Sequence, residues 1–184
     1  SPHAPHWLRK TMQLTRTPSP QQLEEWDGPA RKDYLTCRYM AGYAESAGQV
    51  AKAAEWLEAA YELEPDAGTA IQLAKLYRTQ DQPERWLPTL RRYLDTQENR
   101  GLEHSGVQAY IAETLMREDR DYAAALPYAE QAAETYSARS LATALEANEG
   151  MARWEEADHY AKALSTSYPS SSGDAWYLFR RRTG

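Results

Sequence analysis

From Tyr34 to about Leu164, apolar residues recur at steps of three and four, as in Ala53, Leu57, Ala60 and again in Ala125, Ala129, Ala132. That spacing puts a stripe of small residues along each of a series of helices. The same stretch is rich in Ala, Leu, Glu, Gln and Arg, which lose little side-chain entropy in a helix, and poor in Val, Ile and Thr. It therefore predicts helix rather than sheet. Interruptions at Gly48, Pro65 to Gly68, Asp81 to Pro83, Gly101 to Gly106, Glu118 to Asp121, Gly150 and Pro169 divide it.

The flanks carry their own signals. Ser19-Pro20-Gln21-Gln22 has capping-box spacing with Pro at the first helical position, and Asp27-Gly28-Pro29 is expected to end the short helix begun there. Trp7, Leu8, Met12 and Leu14 predict an amphipathic segment ahead of it, the remnant of a preceding repeat that exits at Pro18. At the other end, Asp174 through Trp176, Leu178 and Phe179 read as a capping helix, because a helical stack needs its last apolar face covered.

An internal repeat emerges in two layers. A bulky apolar residue followed by Ala recurs as Met40-Ala41, Leu73-Ala74, Ile111-Ala112 and Leu141-Ala142, with the alanines 33, 38 and 30 residues apart. A second alanine comes later in three of the four units, at Ala53, Ala125 and Ala157, while Trp86 breaks the rule in the second. Alanine suits both places because two helices that cross closely need side chains ending at Cβ.

These residues resemble the tetratricopeptide repeat, a helix-turn-helix unit of about 34 residues. Gly48 to Asp66, with Ala53, Trp56, Ala60, Tyr61 and Pro65, looks like the family's second helix and its exit, and Trp154, Ala157, Tyr160 and Pro169 repeat the theme. The third unit has Asp121-Tyr122 and Ala125 after a turn one residue longer than usual. The second departs furthest, with Trp86, Pro88 and Tyr93 and an inserted connector from Asp95 to Ser105. The resemblance implies an all-α fold, a right-handed α–α superhelix of about four hairpins over residues 34–169. Residues 1–33 would form a leader with short flanking helices, and 170–184 a capping helix with a basic tail.

Composition narrows the function. The 21 basic and 27 acidic residues leave a net charge of −6, which opposes general attraction to nucleic-acid phosphates or anionic lipid. No apolar run approaches the roughly 20 residues of a membrane span. Cys37 is the single cysteine, so no intrachain disulfide or cysteine metal site is expected, and a reducing, cytoplasmic compartment is preferred. The opening Ser-Pro-His-Ala-Pro-His lacks an initiator Met and an apolar secretion core, which reads as an excised or processed piece of a larger protein.

Candidate chemistry is sparse. His3, His6, His104 and His159 share no helical face with a second ligand, so no metal or other cofactor is expected. No nucleophile elbow, phosphate-binding loop or dinucleotide fingerprint is present, and Glu24-Glu25 and Glu155-Glu156 fall on solvent faces, so the chain reads as a non-enzyme.

In the resembled family the first helix of each hairpin lines a concave groove. Projected here, that face holds Arg38, Tyr39, Gly42 and Glu45, then Ile71, Gln72, Lys75 and Arg78, then Ala109, Tyr110, Glu113 and Met116, then Arg139, Ser140, Thr143 and Glu146. Its cations, carboxylates, tyrosines and apolar side chains suit an extended or helical peptide. One branch of the family grips acidic chaperone tails through Lys and Asn residues. Gly42 and Gln72 stand at expected Asn positions, so chaperone-tail binding is not assigned. The resemblance implies a protein-interaction scaffold whose partner is a protein, a peptide or another domain of the parent chain. The alternative is an accessory region of a larger enzyme.

Overall fold

A computed structural model describes residues 6–80, 82–96, 101–169 and 175–183, and these contain eleven α-helices and no strand. The chain divides into two compact units, Ser1–Thr96 and Gln97–Gly184. The boundary falls in the connector that the sequence marks as an insertion, of which residues 97–100 lie outside the described ones.

The first unit holds α1 (His6–Leu14), α2 (Pro20–Ala30), α3 (Tyr34–Ser46), α4 (Val50–Leu63), α5 (Ala67–Thr79) and α6 (Pro83–Thr96). Helices α3 and α4 form one hairpin, α5 packs on α4 and pairs with α6, and α1 and α2 lie against α3. Ser19 caps α2 in the expected box: its hydroxyl accepts from the Gln22 amide while the Gln22 side chain accepts from the Ser19 amide. The helix does not stop at Asp27-Gly28-Pro29 but continues to Ala30. Its inward residues Trp26 and Ala30 are buried, so packing overrides a proline that costs one backbone bond.

Asp33 and Asp66 cap α3 and α5 at equivalent places, accepting from the amides of Thr36 and Thr69. Between α3 and α4 the chain turns at Gly48, whose φ of 71° is in the left-handed region, with Gly48 and Gln49 amides returning to the carbonyls of Glu45 and Ala44. Helix α1 buries Leu8 and Met12 and leaves Trp7 and Leu14 in solvent. It is tied to α3 by Arg9 on Asp33 and by the Tyr43 hydroxyl, which donates to the Met12 carbonyl at 2.6 Å.

The second unit holds α7 (Leu102–Thr114), α8 (Tyr122–Ala133), α9 (Ala138–Gly150), α10 (Trp154–Ser167) and α11 (Ala175–Thr183). Helices α7 and α8 pair, α9 packs on both, α10 pairs with α9, and α11 lies on α10. The interruption expected at Gly101 to Gly106 is narrower than its glycines suggest, because α7 runs straight through Gly106. The extra residue before α8 is absorbed as a π turn over Leu115–Asp119, closed by Arg120 at φ 57° and by the Asp121 amide on the Leu115 carbonyl.

The crossing alanines are deep in the core. Ala41, Ala74, Ala112, Ala53, Ala125 and Ala157 are fully buried. Ala142 is not: it faces solvent, and Ala144 and Leu145 take the inward positions. Capping of α9 by Ser137 sets the phase of that helix, and Leu145 then precedes Ala157 by the same interval that separates Ala41 from Ala53. Trp86, 4% exposed, occupies the corresponding place in the second hairpin, with the Arg78 guanidinium 5.0 Å above its ring. Helix α11 caps the unit by inserting Phe179 against Leu145, Ala157, Ala161 and Tyr160; Asp174, expected to begin it, lies outside the described residues.

Candidate functional site: the first-helix faces

In the first unit the candidate residues come from α3 and α5, which the Asp33 and Asp66 caps start in matching register. Arg38 and Lys75 are exposed, while Tyr39, Gly42, Glu45, Ile71, Gln72 and Arg78 are half-buried. Several are joined across the two helices. The Gln72 amide donates to the Glu45 carboxylate at 2.8 Å. Arg38 donates to the Tyr34 hydroxyl at 2.9 Å, and that hydroxyl donates to Asp66 at 2.8 Å. Burial raises the affinity of Asp66 for a proton, but hydrogen bonds from Thr69 and Tyr34 and the charge of Arg38 outweigh it and hold the carboxyl below its ordinary range.

Tyr34, outside the projected face, joins it by linking Arg38 to Asp66. Its place one helical turn before Arg38, and the repeated Asp-x-x-Thr at Asp33 to Thr36 and Asp66 to Thr69, are the sequence signals that point to it.

In the second unit the face is built from α7, the π turn and α9. Arg139 makes a two-pronged bond to Glu113, both contacts at 2.9 Å, and the Thr143 hydroxyl donates to the same carboxylate at 3.2 Å. Burial pushes the Glu113 carboxyl up, yet the Arg139 hydrogen bonds and charge, with Arg117, bring it below the usual carboxylate range. Tyr110 is half-buried beside it, and Ala109, Ser140 and Thr143 are buried.

Met116 does not belong to this surface; it is fully buried. It lies seven residues, close to two full turns, after Ala109, so both stand on the buried side of the helix. Arg117 takes its place, 3.4 Å from Glu146. The open face of this helix runs through Tyr110, Glu113 and Arg117, at regular helical spacing.

Other chemistry-bearing residues are accounted for by packing. The Glu58 carboxylate accepts from Tyr77 at 2.7 Å and Arg92 at 3.0 Å, while Arg85 and Arg92 stack on the rings of Tyr77 and Tyr61. His104 is buried, and His159 lies edge-on to Tyr160. Among the described residues no group of three or more His, Cys, Asp or Glu is placed to hold a metal ion, and no helix is long and apolar enough to cross a membrane.

Helical hairpins with alanines at their crossings define a helical-repeat fold of the tetratricopeptide type. Among solved structures, the chain is similar to MamA AMB-1, with a TM-score of 0.56 and 20% identity over 82% of each chain. It is similar to MamA MSR-1, with a TM-score of 0.54 and 20% identity over 82% of this chain and 87% of that one. It is also similar to Pseudomonas aeruginosa PilF, with a TM-score of 0.53 and 18% identity over 85% of this chain and 72% of that one. At these identities the likeness is one of fold. No family model matches the chain, and no curated protein does.

Proposed function

We propose that this chain is a non-catalytic interaction module whose first-helix faces receive a partner protein or peptide, or another domain of its own parent chain. The observation that carries the reading is the set of bonds between neighbouring first helices: Gln72 to Glu45 and Tyr34 to Asp66 in one unit, Arg139 to Glu113 in the other. They hold exposed and half-buried side chains in place before a partner arrives, so less conformational entropy is lost on binding. In the first unit the exposed cations Arg38 and Lys75 stand beside half-buried Tyr39 and Ile71. That mixture supports hydrogen bonding to a peptide together with partial burial of an apolar side chain. A net charge of −6 disfavours nucleic acid as the partner.

The test is affinity capture with the full chain, with mass spectrometry of the bound proteins, repeated with Arg38→Glu/Lys75→Glu. Proteins recovered with the wild type are expected to fall by about tenfold with the double variant while circular dichroism stays the same. Equal recovery with both proteins would overturn the assignment of this face.

A further inference from the structure

A small cavity of about 20 Å³ lies within the hairpin of α7 and α8, between the start of the one and the end of the other. Its walls are His104, Ser105 and Gln108 from α7, and Gln131, Glu134 and Thr135 from the last turn of α8 and the residues after it. His104 is 7% exposed, Ser105 3% and Gln108 6%. Polar side chains buried to this degree are costly unless they find partners.

Most of the hydrogen-bond donors in the wall are spent within the protein. Thr135 gives its hydroxyl proton to the Ala132 carbonyl at 2.9 Å, so the Ser105 hydroxyl, 2.9 Å from that of Thr135, is the donor between the two. Gln108 donates its amide nitrogen to the Gln131 side chain at 2.8 Å. What Ser105 and Gln108 have left to offer is oxygen lone pairs. His104 and the exposed Glu134 make no hydrogen bond or ion pair among the described residues. A neutral imidazole adds a nitrogen lone pair, and the carboxylate adds negative charge.

A wall richer in lone pairs than in protons suits a cation, and the carbonyl end of α8 favours one as well. Size and ligand type narrow the choice. The cavity has room for one water-sized guest, which excludes organic cations. An imidazole nitrogen beside a carboxylate suits zinc and its neighbours, whereas magnesium and calcium prefer shells made of oxygen alone.

We propose that this cavity binds a divalent transition-metal ion, with His104 and Glu134 as its protein ligands and side-chain oxygen or water completing the shell. The second ligand that His104 lacks on its own helix comes from the end of the next one, 30 residues later. The ion ties the start of α7 to the end of α8 and stiffens the hairpin that carries Tyr110 and Glu113.

The test uses the full chain, isotope-labelled in its histidine rings and followed by NMR while zinc chloride is added, with magnesium chloride as the control. The His104 ring signals are expected to shift saturably at sub-millimolar zinc and not with magnesium. The melting temperature is expected to rise with zinc in the wild type and to stay level in His104→Ala. Glu134→Gln is expected to weaken zinc binding by about tenfold or more. Because Glu134 is exposed and bonded to no described residue, that variant should melt as the wild type does without metal. The proposal is overturned if the His104 signals do not move with millimolar zinc, if only His6 or His159 responds, if magnesium acts equally, or if Glu134→Gln binds zinc as tightly as the wild type.

Discussion

The ring of Tyr122 rests on the bare backbone of Gly150, with room for no other residue type: an added Cβ would lie 2.1 Å from Cδ1 and 2.7 Å from Cγ. Gly150→Ala should therefore destabilise the protein by about 1 to 3 kcal/mol through overpacking, in spite of the roughly 1 kcal/mol that alanine gains over glycine in a helix. Tyr122→Ala should relieve the clash, so the double variant should cost less than the two single changes combined. Urea denaturation of the four proteins measures this, and additive costs would contradict the contact.

Ala53, Ala125 and Ala157 are each fully buried where helices cross. Replacing any one of them with Trp should lower stability by about 1 to 3 kcal/mol. The same replacement at Ala142, which faces solvent, should change it by less than about 0.5 kcal/mol. Thermal melts of the four variants separate the two classes.

The turn at Ala152 repeats the one at Gly48. Each residue is in the left-handed region, at φ 55° and 71°, and the next amide in each case returns five residues to a helix carbonyl: Arg153 to Asn148, Gln49 to Ala44. Alanine carries a Cβ penalty of about 1 to 2 kcal/mol in that conformation. Ala152→Gly should raise stability by about 1 kcal/mol and Gly48→Ala should lower it by a similar amount. A pair of melts that moved in the same direction would argue against this backbone assignment.

Glu113 and Asp66 are both held below their ordinary carboxylate ranges, Glu113 chiefly by Arg139 and Asp66 by Thr69, Tyr34 and Arg38. Because the folded values are depressed, their contribution is fully present above the unfolded values of about 4.5 and 3.8 and fades as pH falls through the folded ones. Stability should thus decline on acidification below about pH 4.5. Glu113→Gln should flatten the upper part of that decline, as measured by denaturant midpoints between pH 6 and pH 3. An unchanged slope would remove Glu113 as a contributor.

Cys37 is fully buried, its thiol donates to the Ala30 carbonyl, and burial pushes its pKa up to about 11. It should resist thiol reagents at neutral pH in the native protein and react fully in denaturant, since the thiolate is the reactive form. Rapid native labelling, read by mass spectrometry, would show that α3 opens more readily than its packing implies.

The sequence by itself determined that the chain is a series of helical hairpins. Periodicity and propensity are local properties, and so are the capping box at Ser19 and the alanines at Ala53, Ala125 and Ala157, each of which lies in the structure where its spacing places it. It also located the extra residue before Asp121. Helix phase was beyond it. Met116 shares the buried side of its helix with Ala109 while Arg117 shares the open side with Tyr110 and Glu113, and Leu145 rather than Ala142 stands eight residues after its helix cap, as Ala41 does. Pairing was beyond it as well: Arg139 with Glu113, Tyr34 with Asp66, and the Tyr122 ring on Gly150 join residues 26, 32 and 28 positions apart. Such contacts depend on how one helix lies on the next. Side-chain volume at a crossing sets that angle, and it becomes definite only when both helices are in place.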